Sequence, residues 1–230
     1  MPRPIRSSPK PKSPPPTRKK KRAAALGRDQ LSREDWIDAA RKELIAGGVA
    51  AVTQGRLAKR LAVTRGGFYW HFSSHADLLR ALLHSWELAN NAPFERAIAG
   101  PGPRDGVAEL QQIVGMYWEE TDYDPEFDRA IRNWAQTSKE AAITTRRVDE
   151  RRLEVLHRIF RDLGFREPEA LVRARILYLQ QVGYYTLQLR ETQERRRELV
   201  STYIKVLAEI ELPDFPTADA NGKPVDPGAG

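Results

Sequence analysis

A chain of 230 residues with a formal charge of +7 and no cysteine can hold one medium core or a small head on a larger body, and it excludes disulfides, thiolate metal sites and thiol redox switches. It has no run of about 18 apolar residues, so no membrane span, and its basic N-terminus lacks the apolar segment of a signal peptide, which predicts a cytoplasmic protein. Residues 1–28 carry ten Lys or Arg and no acid, leaving 28 bases to face 31 acids elsewhere, so the positive charge belongs to the N-terminal segment alone.

That segment, residues 1–28, reads as a disordered, proline-rich basic arm, with Arg18-Lys19-Lys20-Lys21-Arg22 beside the first helix. It either neutralises phosphates in a salt-dependent way or is a solvated tail that aids solubility. The first helix has a capping box in Ser32 and Asp35, an apolar stripe of Trp36, Ile37, Ala40, Leu44 and Ile45, and a left-handed stop at Gly47-Gly48. Thr53 then caps a short helix with Leu57, Ala58 and Leu61 on one face. The connection is only Ala62-Val63 before Thr64 offers a second capping hydroxyl, and the next helix leads with Arg65, Gly66 and Gly67. Two short helices joined so tightly are a helix-turn-helix. In that motif the N-terminal residues of the second helix meet base edges in the major groove, and Arg suits guanine O6 and N7. The two glycines fit either close approach to DNA or tight helix packing. A second capping box, Ser74 with Asp77, opens a helix carrying Leu78, Leu79, Leu82, Leu83 and Trp86.

The run Thr64-Arg65-Gly66-Gly67-Phe68-Tyr69-Trp70-His71-Phe72, followed by Ser73-Ser74-His75-Ala76-Asp77-Leu78-Leu79, resembles the DNA-binding signature of TetR-family transcriptional regulators. The likeness extends from the Trp36–Gly48 helix to about residue 86. It implies phosphate contacts from Thr53, Thr64, Tyr69 and His71, base contacts from Arg65, Gly67 and Phe68, and a core role for Phe72. Gln54 and Trp70 join the expected DNA-binding set. His75 stands where the family usually has a lysine that reaches the DNA backbone, so its contact is expected to be weaker and pH-dependent. Ala62, often glycine in the family, is expected to matter little.

From Asn91 onward Pro93 and Gly100-Pro101-Gly102-Pro103 break the pattern, and five further helical segments follow. They are a stripe of Val107, Leu110, Val114 and Tyr117; a helix opened by Asp124-Pro125 with Phe127, Ala130, Ile131 and Trp134; a long helix from about Ser138 to Leu163, ended by Gly164; and helices from Pro168 to about Leu189 and from Thr192 to about Glu211. The fold class is therefore all-α, with about nine helices: a three-helix DNA-binding domain at residues 29–75, a helical sensing and dimerisation bundle at 76–213, and a disordered tail at 214–230. The charges Arg146-Arg147, Asp149-Glu150, Arg151-Arg152 and Glu154 read as an exposed, ion-paired face.

A helix-turn-helix reading half-sites one helical turn apart needs a two-fold partner. The faces expected at a homodimer interface are Leu171, Ala174, Tyr178, Gln181 and Tyr185 with Leu199, Tyr203, Ile204 and Leu207, positions that commonly dimerise in the TetR family; the alternative is that both faces are internal core of a monomer. Aromatic density in the bundle suggests a small-molecule pocket of Tyr117, Trp118, Trp134, Tyr178 and Tyr185, with Arg132 and Gln181 as polar groups. Enzymatic readings fail on motif: His71 and His75 straddle a helix boundary, and no phosphate-cradling loop or nucleophile elbow is present. No cofactor and no metal are expected. The function that follows is an operator-binding, ligand-responsive regulator, a repressor by family habit. The alternative is a DNA-bound module without a ligand, controlled by abundance or a protein partner.

Overall fold

The computed structural model describes residues 31–99, 104–120 and 123–210 together with the pairs 217–218 and 224–225, so the basic arm lies outside the described residues. Most of the α-helices begin where the sequence supplies a side-chain oxygen to the first turn. α1 (Arg33–Gly47) has the expected box: the Ser32 hydroxyl accepts from Asp35 N, and the Asp35 carboxylate accepts from Ser32 N at 2.8 Å. It stops at Gly48, whose φ of 70° no side chain tolerates well. A single 3₁₀ turn (Val49–Ala51) leads to α2 (Gln54–Arg60), capped by Thr53.

The helix-turn-helix turn is a Schellman motif, with Val63 N bonded to Ala58 O at 2.9 Å and Ala62 N bonded to Lys59 O at 3.2 Å. The left-handed residue of that motif is Ala62, at φ 55°. Glycine is the usual occupant because a Cβ there crowds the following carbonyl, by roughly 1–2 kcal/mol. The substitution at this position is therefore a local strain and not the neutral change expected. The second element, Arg65–Trp70, is 3₁₀ rather than α, and Thr64 makes no side-chain cap, contrary to the sequence reading. Six residues containing two glycines have too few i→i−4 bonds to hold an α-helix by themselves.

α3 (His75–Ile98) begins with Ser74 accepting from Asp77 N at 3.1 Å. The Asp77 carboxylate reaches past it to Ser73 N at 3.0 Å, so the expected box closes one residue early. The helix also runs through Pro93 instead of breaking near Asn91. Pro93, Phe94 and Ala97 are buried, and that burial offsets the backbone bond that a helical proline forfeits. Then come α4 (Gly106–Glu119), α5 (Pro125–Ala135), α6 (Lys139–Asp162), α7 (Glu169–Thr186) and α8 (Gln193–Ala208). Among the described residues these eight α-helices and the 3₁₀ segment supply the nine expected helical elements. Asp105, Asp124, Ser138 and Thr192 cap α4, α5, α6 and α8. In the tail, β1 (Thr217–Ala218) pairs antiparallel with β2 (Pro224–Val225), where the sequence reading foresaw no pairing.

Two apolar clusters fill the molecule. The first gathers Trp36, Leu44, Leu57, Phe68, Phe72, Leu78, Leu82 and Trp86 with Phe127, Ile131 and Trp134 of α5 and Val148 of α6. The second lies in the bundle, with Phe94, Leu110, Ile113, Leu156, Ile159, Phe160, Leu177, Tyr178 and Ile204. α3 and α6 run through both clusters. On their outer sides Arg147 holds Glu87 and Arg151 holds Glu95, at 2.5 and 2.7 Å. That part of α6 is the ion-paired face expected, except that Arg152 is 1% exposed and faces inward.

The faces assigned to a dimer interface also change. Ala174, Tyr178, Ile204 and Leu207 are buried inside the chain, because they are the faces by which α7 and α8 pack on α4 and α6. The apolar side chains left in solvent on these two helices are Val172, Ile176 and Leu179 on α7, and Tyr203 and Val206 on α8. Among the described residues no helix is long and apolar enough to cross a membrane.

Candidate nucleic-acid interface

The head is built so that one edge stays bare. Trp36 and Phe68 meet edge to face at 5.6 Å, Phe68 and Phe72 stack at 5.3 Å, and these rings lock the Arg65–Trp70 segment against α1. Glu43, buried at the α1–α2 contact, accepts from Arg60 Nε at 2.8 Å and pairs with Arg56 at 2.9 Å, which fixes α2. On the opposite side, Thr53, Thr64, Arg65, Gly66, Tyr69 and Trp70 are exposed together. Tyr69 is 63% and Trp70 88% exposed, values that no core contact explains. Tyr69 OH donates to Gln54 Oε1 at 3.3 Å across the two elements. His71 and Gly67 are half-buried at the edge of this surface.

Two members of the expected DNA-binding set are removed from it. Phe68 is fully buried, so it anchors the segment and touches no base. His75 has Nε2 2.6 Å from Val52 O; a carbonyl only accepts, so Nε2 carries the proton and donates to the backbone, and this nitrogen is not available to a phosphate. The glycines also separate. A Cβ on Gly66 would meet nothing nearer than Thr64 Oγ1 at 3.8 Å, whereas one on Gly67 would sit 3.7 Å from the Trp36 ring. Gly66 is thus exposed beside Thr64, and Gly67 is half-buried against the Trp36 ring.

The expected pocket residues divide among four places. Tyr117 and Gln181 line a small open cleft at the seam of α4, α7 and α8. Gln181 Nε2 is buried there without a partner. Arg132 and Tyr178 belong to a polar network in the bundle: Arg132 donates to Asp128 at 2.7 Å and bidentately to Asp149, and Tyr178 OH donates to Asp149 Oδ1 at 2.6 Å. Burial opposes the Arg132 charge, but the Asp149 hydrogen bonds and the Asp128 charge outweigh it and hold the guanidinium protonated well above its ordinary range. The Tyr178 hydroxyl is pushed up to about 12, chiefly by burial. Trp134 packs in the head-side cluster on the other face of α5. Tyr185 OH donates to Glu120 at 3.0 Å, beside Arg196. The Trp118 side chain is outside the described residues.

Sequence reasoning missed Arg152 as a buried cation. It donates to Asn90 O and to the Asn90 side chain, lies over the rings of Phe94 and Tyr123, and stands 4.0 Å from Asp128. Its place in the apolar stripe, in register with Val148 and Val155, was the available signal. Also missed was the ion pair of Arg41 on α1 with Asp124, the cap of α5, which joins head to bundle. No local pattern links residues so far apart in sequence.

Residues 37–82 match the model of the family described as bacterial regulatory proteins, tetR family. The chain is 32% identical over 94 residues to the HTH-type transcriptional regulator AcrR of Shigella flexneri, a stretch covering 40% of this chain and 42% of that protein. It is 43% identical over 56 residues to the HTH-type transcriptional regulator TtgR of Pseudomonas putida, 24% of this chain and 27% of that one. The chain thus spans less than half the length of these relatives. Two solved structures share the fold over most of both chains. One is SmeT, the repressor of the Stenotrophomonas maltophilia multidrug efflux pump SmeDEF, at TM-score 0.57 and 22% identity over 78% of this chain and 91% of that one. The other is a TetR-family regulator from Agrobacterium tumefaciens, at TM-score 0.62 and 13% identity over 78% and 97%. Residues 37–82 are thus a helix-turn-helix domain of the tetR family, and the helical fold around them is shared with these solved structures.

Proposed function

We propose that this protein binds an operator in double-stranded DNA as a homodimer and releases it when a small molecule enters the bundle, acting as a repressor. The observation that carries the reading is the bare edge of the head: Arg65, Tyr69 and Trp70 project from a segment whose other side is locked by Trp36 and Phe68. A rigid element with exposed donors suits major-groove readout, with Arg65 at base edges and Thr53, Thr64, Tyr69 and His71 at phosphates. The exposed row Val172, Ile176 and Leu179 with Tyr203 and Val206 supports self-association through α7 and α8. The effector belongs in the cleft at the seam of α4, α7 and α8. Its walls are mainly apolar, Gln181 offers an unused donor, and Arg196 at its rim is neutralised by Glu120. An uncharged, largely apolar molecule with an acceptor oxygen fits that lining.

Selection of bound duplexes from a random pool tests the DNA reading, and enrichment of a palindrome with half-sites about one helical turn apart is expected. Arg65→Ala should then relax preference at one base pair per half-site, whereas Tyr69→Phe should weaken all sequences alike. A pool that shows no enrichment refutes the reading.

A further inference from the structure

Gly55 is the second residue of α2, outside the element that reads bases, and no motif in the sequence points to it. A Cβ built on it would lie 3.0 Å from Arg65 Nη2 and 3.5 Å from both Cζ and Nε. All three nearest atoms belong to one guanidinium, so that group rests across the bare backbone of Gly55. Beside it Gln54 Oε1 accepts from Tyr69 OH. The first turn of α2 therefore supports two side chains of the facing element, one by a hydrogen bond and one by an absence of bulk. Arg65 is exposed and has no ion pair among the described residues to fix it. A free arginine side chain loses rotamer entropy on binding, and a surface that limits its poses beforehand reduces that loss.

We propose that Gly55 is a specificity-determining position: its missing side chain seats the Arg65 guanidinium, and bulk at 55 redirects the base contact. The inference rests on Arg65 reading a base, as argued above. Any methyl group at 55 meets the far end of a flexible chain, so the fold adapts at little cost and the effect falls on where the guanidinium points. A bidentate arginine contact discriminates bases by roughly 5- to 150-fold.

The test is a double-mutant cycle on the full-length protein, read as the ratio of affinities for the selected operator and for single-base variants. Gly55→Ala is expected to reduce discrimination at the Arg65-dependent base pair about 3- to 10-fold, and Gly55→Leu further, with helical circular dichroism and Tm kept. In an Arg65→Ala background the same change at 55 should leave the discrimination ratio untouched, because the side chain it acts through is gone. A uniform loss across all variants, or an equal effect with and without Arg65, overturns the role assigned to Gly55. If Arg65→Ala itself leaves discrimination intact, the base-reading role of Arg65 fails, and the inference about Gly55 fails with it. If only Gly55→Ala is silent, the inference fails and the Arg65 reading stands.

Discussion

Phe68 separates a buried anchor from a base-reading side chain, and its substitution distinguishes the two by assay. It is 0% exposed and packs against Trp36 at 5.6 Å and Phe72 at 5.3 Å. Phe68→Ala removes a fully buried ring and leaves a cavity, a change of about 3–5 kcal/mol. For a chain of this size each kcal/mol moves Tm by roughly 2–4 °C, so a fall of roughly 10 °C is expected in a cooperative thermal transition. Phe68→Leu keeps most of the burial and loses chiefly the pairings with the Trp36, Tyr69 and Phe72 rings, about 2 kcal/mol, or roughly 4–8 °C. The leucine variant is the one to carry into DNA binding, because enough of the head survives. Fluorescence anisotropy against the selected operator and its single-base variants should show an equal loss on every duplex, since a loosened Arg65–Trp70 segment misplaces all its contacts together. A base-reading phenylalanine behaves in the opposite way. An unchanged Tm with a shifted preference at one base pair would refute the burial argument.

Other predictions follow from the same contacts. Ala62→Gly should raise Tm by roughly 1–4 °C: relief of left-handed strain, about 1–2 kcal/mol, exceeds the added unfolded-state entropy of about 0.4–1 kcal/mol, and calorimetry reads the difference. Arg132→Met should destabilise by about 3–5 kcal/mol in urea unfolding, because Asp128 keeps only the distant Arg152 and Asp149 loses its bidentate partner. The Asp77 carboxyl lies below its ordinary 3.8, first because Ser73 N–H bonds to it and then through the Ser73 hydroxyl and Arg33. A depressed carboxyl contributes stability that is full above its unfolded value and is lost as pH falls through the folded one. Asp77→Asn should therefore flatten the decline of Tm below about pH 4 and lower Tm at neutral pH.

Much of this architecture was legible because it is local. Ser32, Thr53, Ser74, Asp105, Asp124, Ser138 and Thr192 each cap the helix that follows, and a capping oxygen acts within three residues of itself. The same locality explains the errors. Pro93 reads as a break until Phe94 and Ala97 are seen in the second cluster. Thr64 reads as a cap, but the segment after it is too short and too rich in glycine to be α. Periodicity marked the apolar faces of α7 and α8 without telling which neighbour each face would meet, so buried Ala174 and Ile204 were assigned to an interface in place of exposed Ile176 and Val206. Within the recognition segment, residue type separated the exposed Arg65 from its neighbours, but Phe68 and Tyr69 differ by one hydroxyl and by 63% in exposure, which only the packing of Trp36 decides.

α5 is where head and bundle become one mechanical problem. Its Phe127, Ile131 and Trp134 lie in the same apolar cluster as Trp36 and Phe68, while Asp128 and Arg132, on its other side, are held by Asp149, Tyr178 and the buried Arg152. An ion pair from Asp124 at its first turn reaches Arg41 on α1. A helix of eleven residues cannot shift one face and leave the other in place, because its backbone hydrogen bonds make it a rigid rod on this scale. Tyr178 also sits on α7, one residue from Leu177 in the wall of the seam cleft. Under the ligand-responsive reading proposed above, a molecule that displaces α7 there would act on Tyr178, then on Arg132 and α5, and so on the ring cluster beneath the Arg65–Trp70 segment. Dense packing favours two discrete arrangements over gradual deformation. For the ligand response proposed above, α5, with an apolar face in the head and a charged face in the bundle, is then a route beside α3 and α6, which run through both clusters.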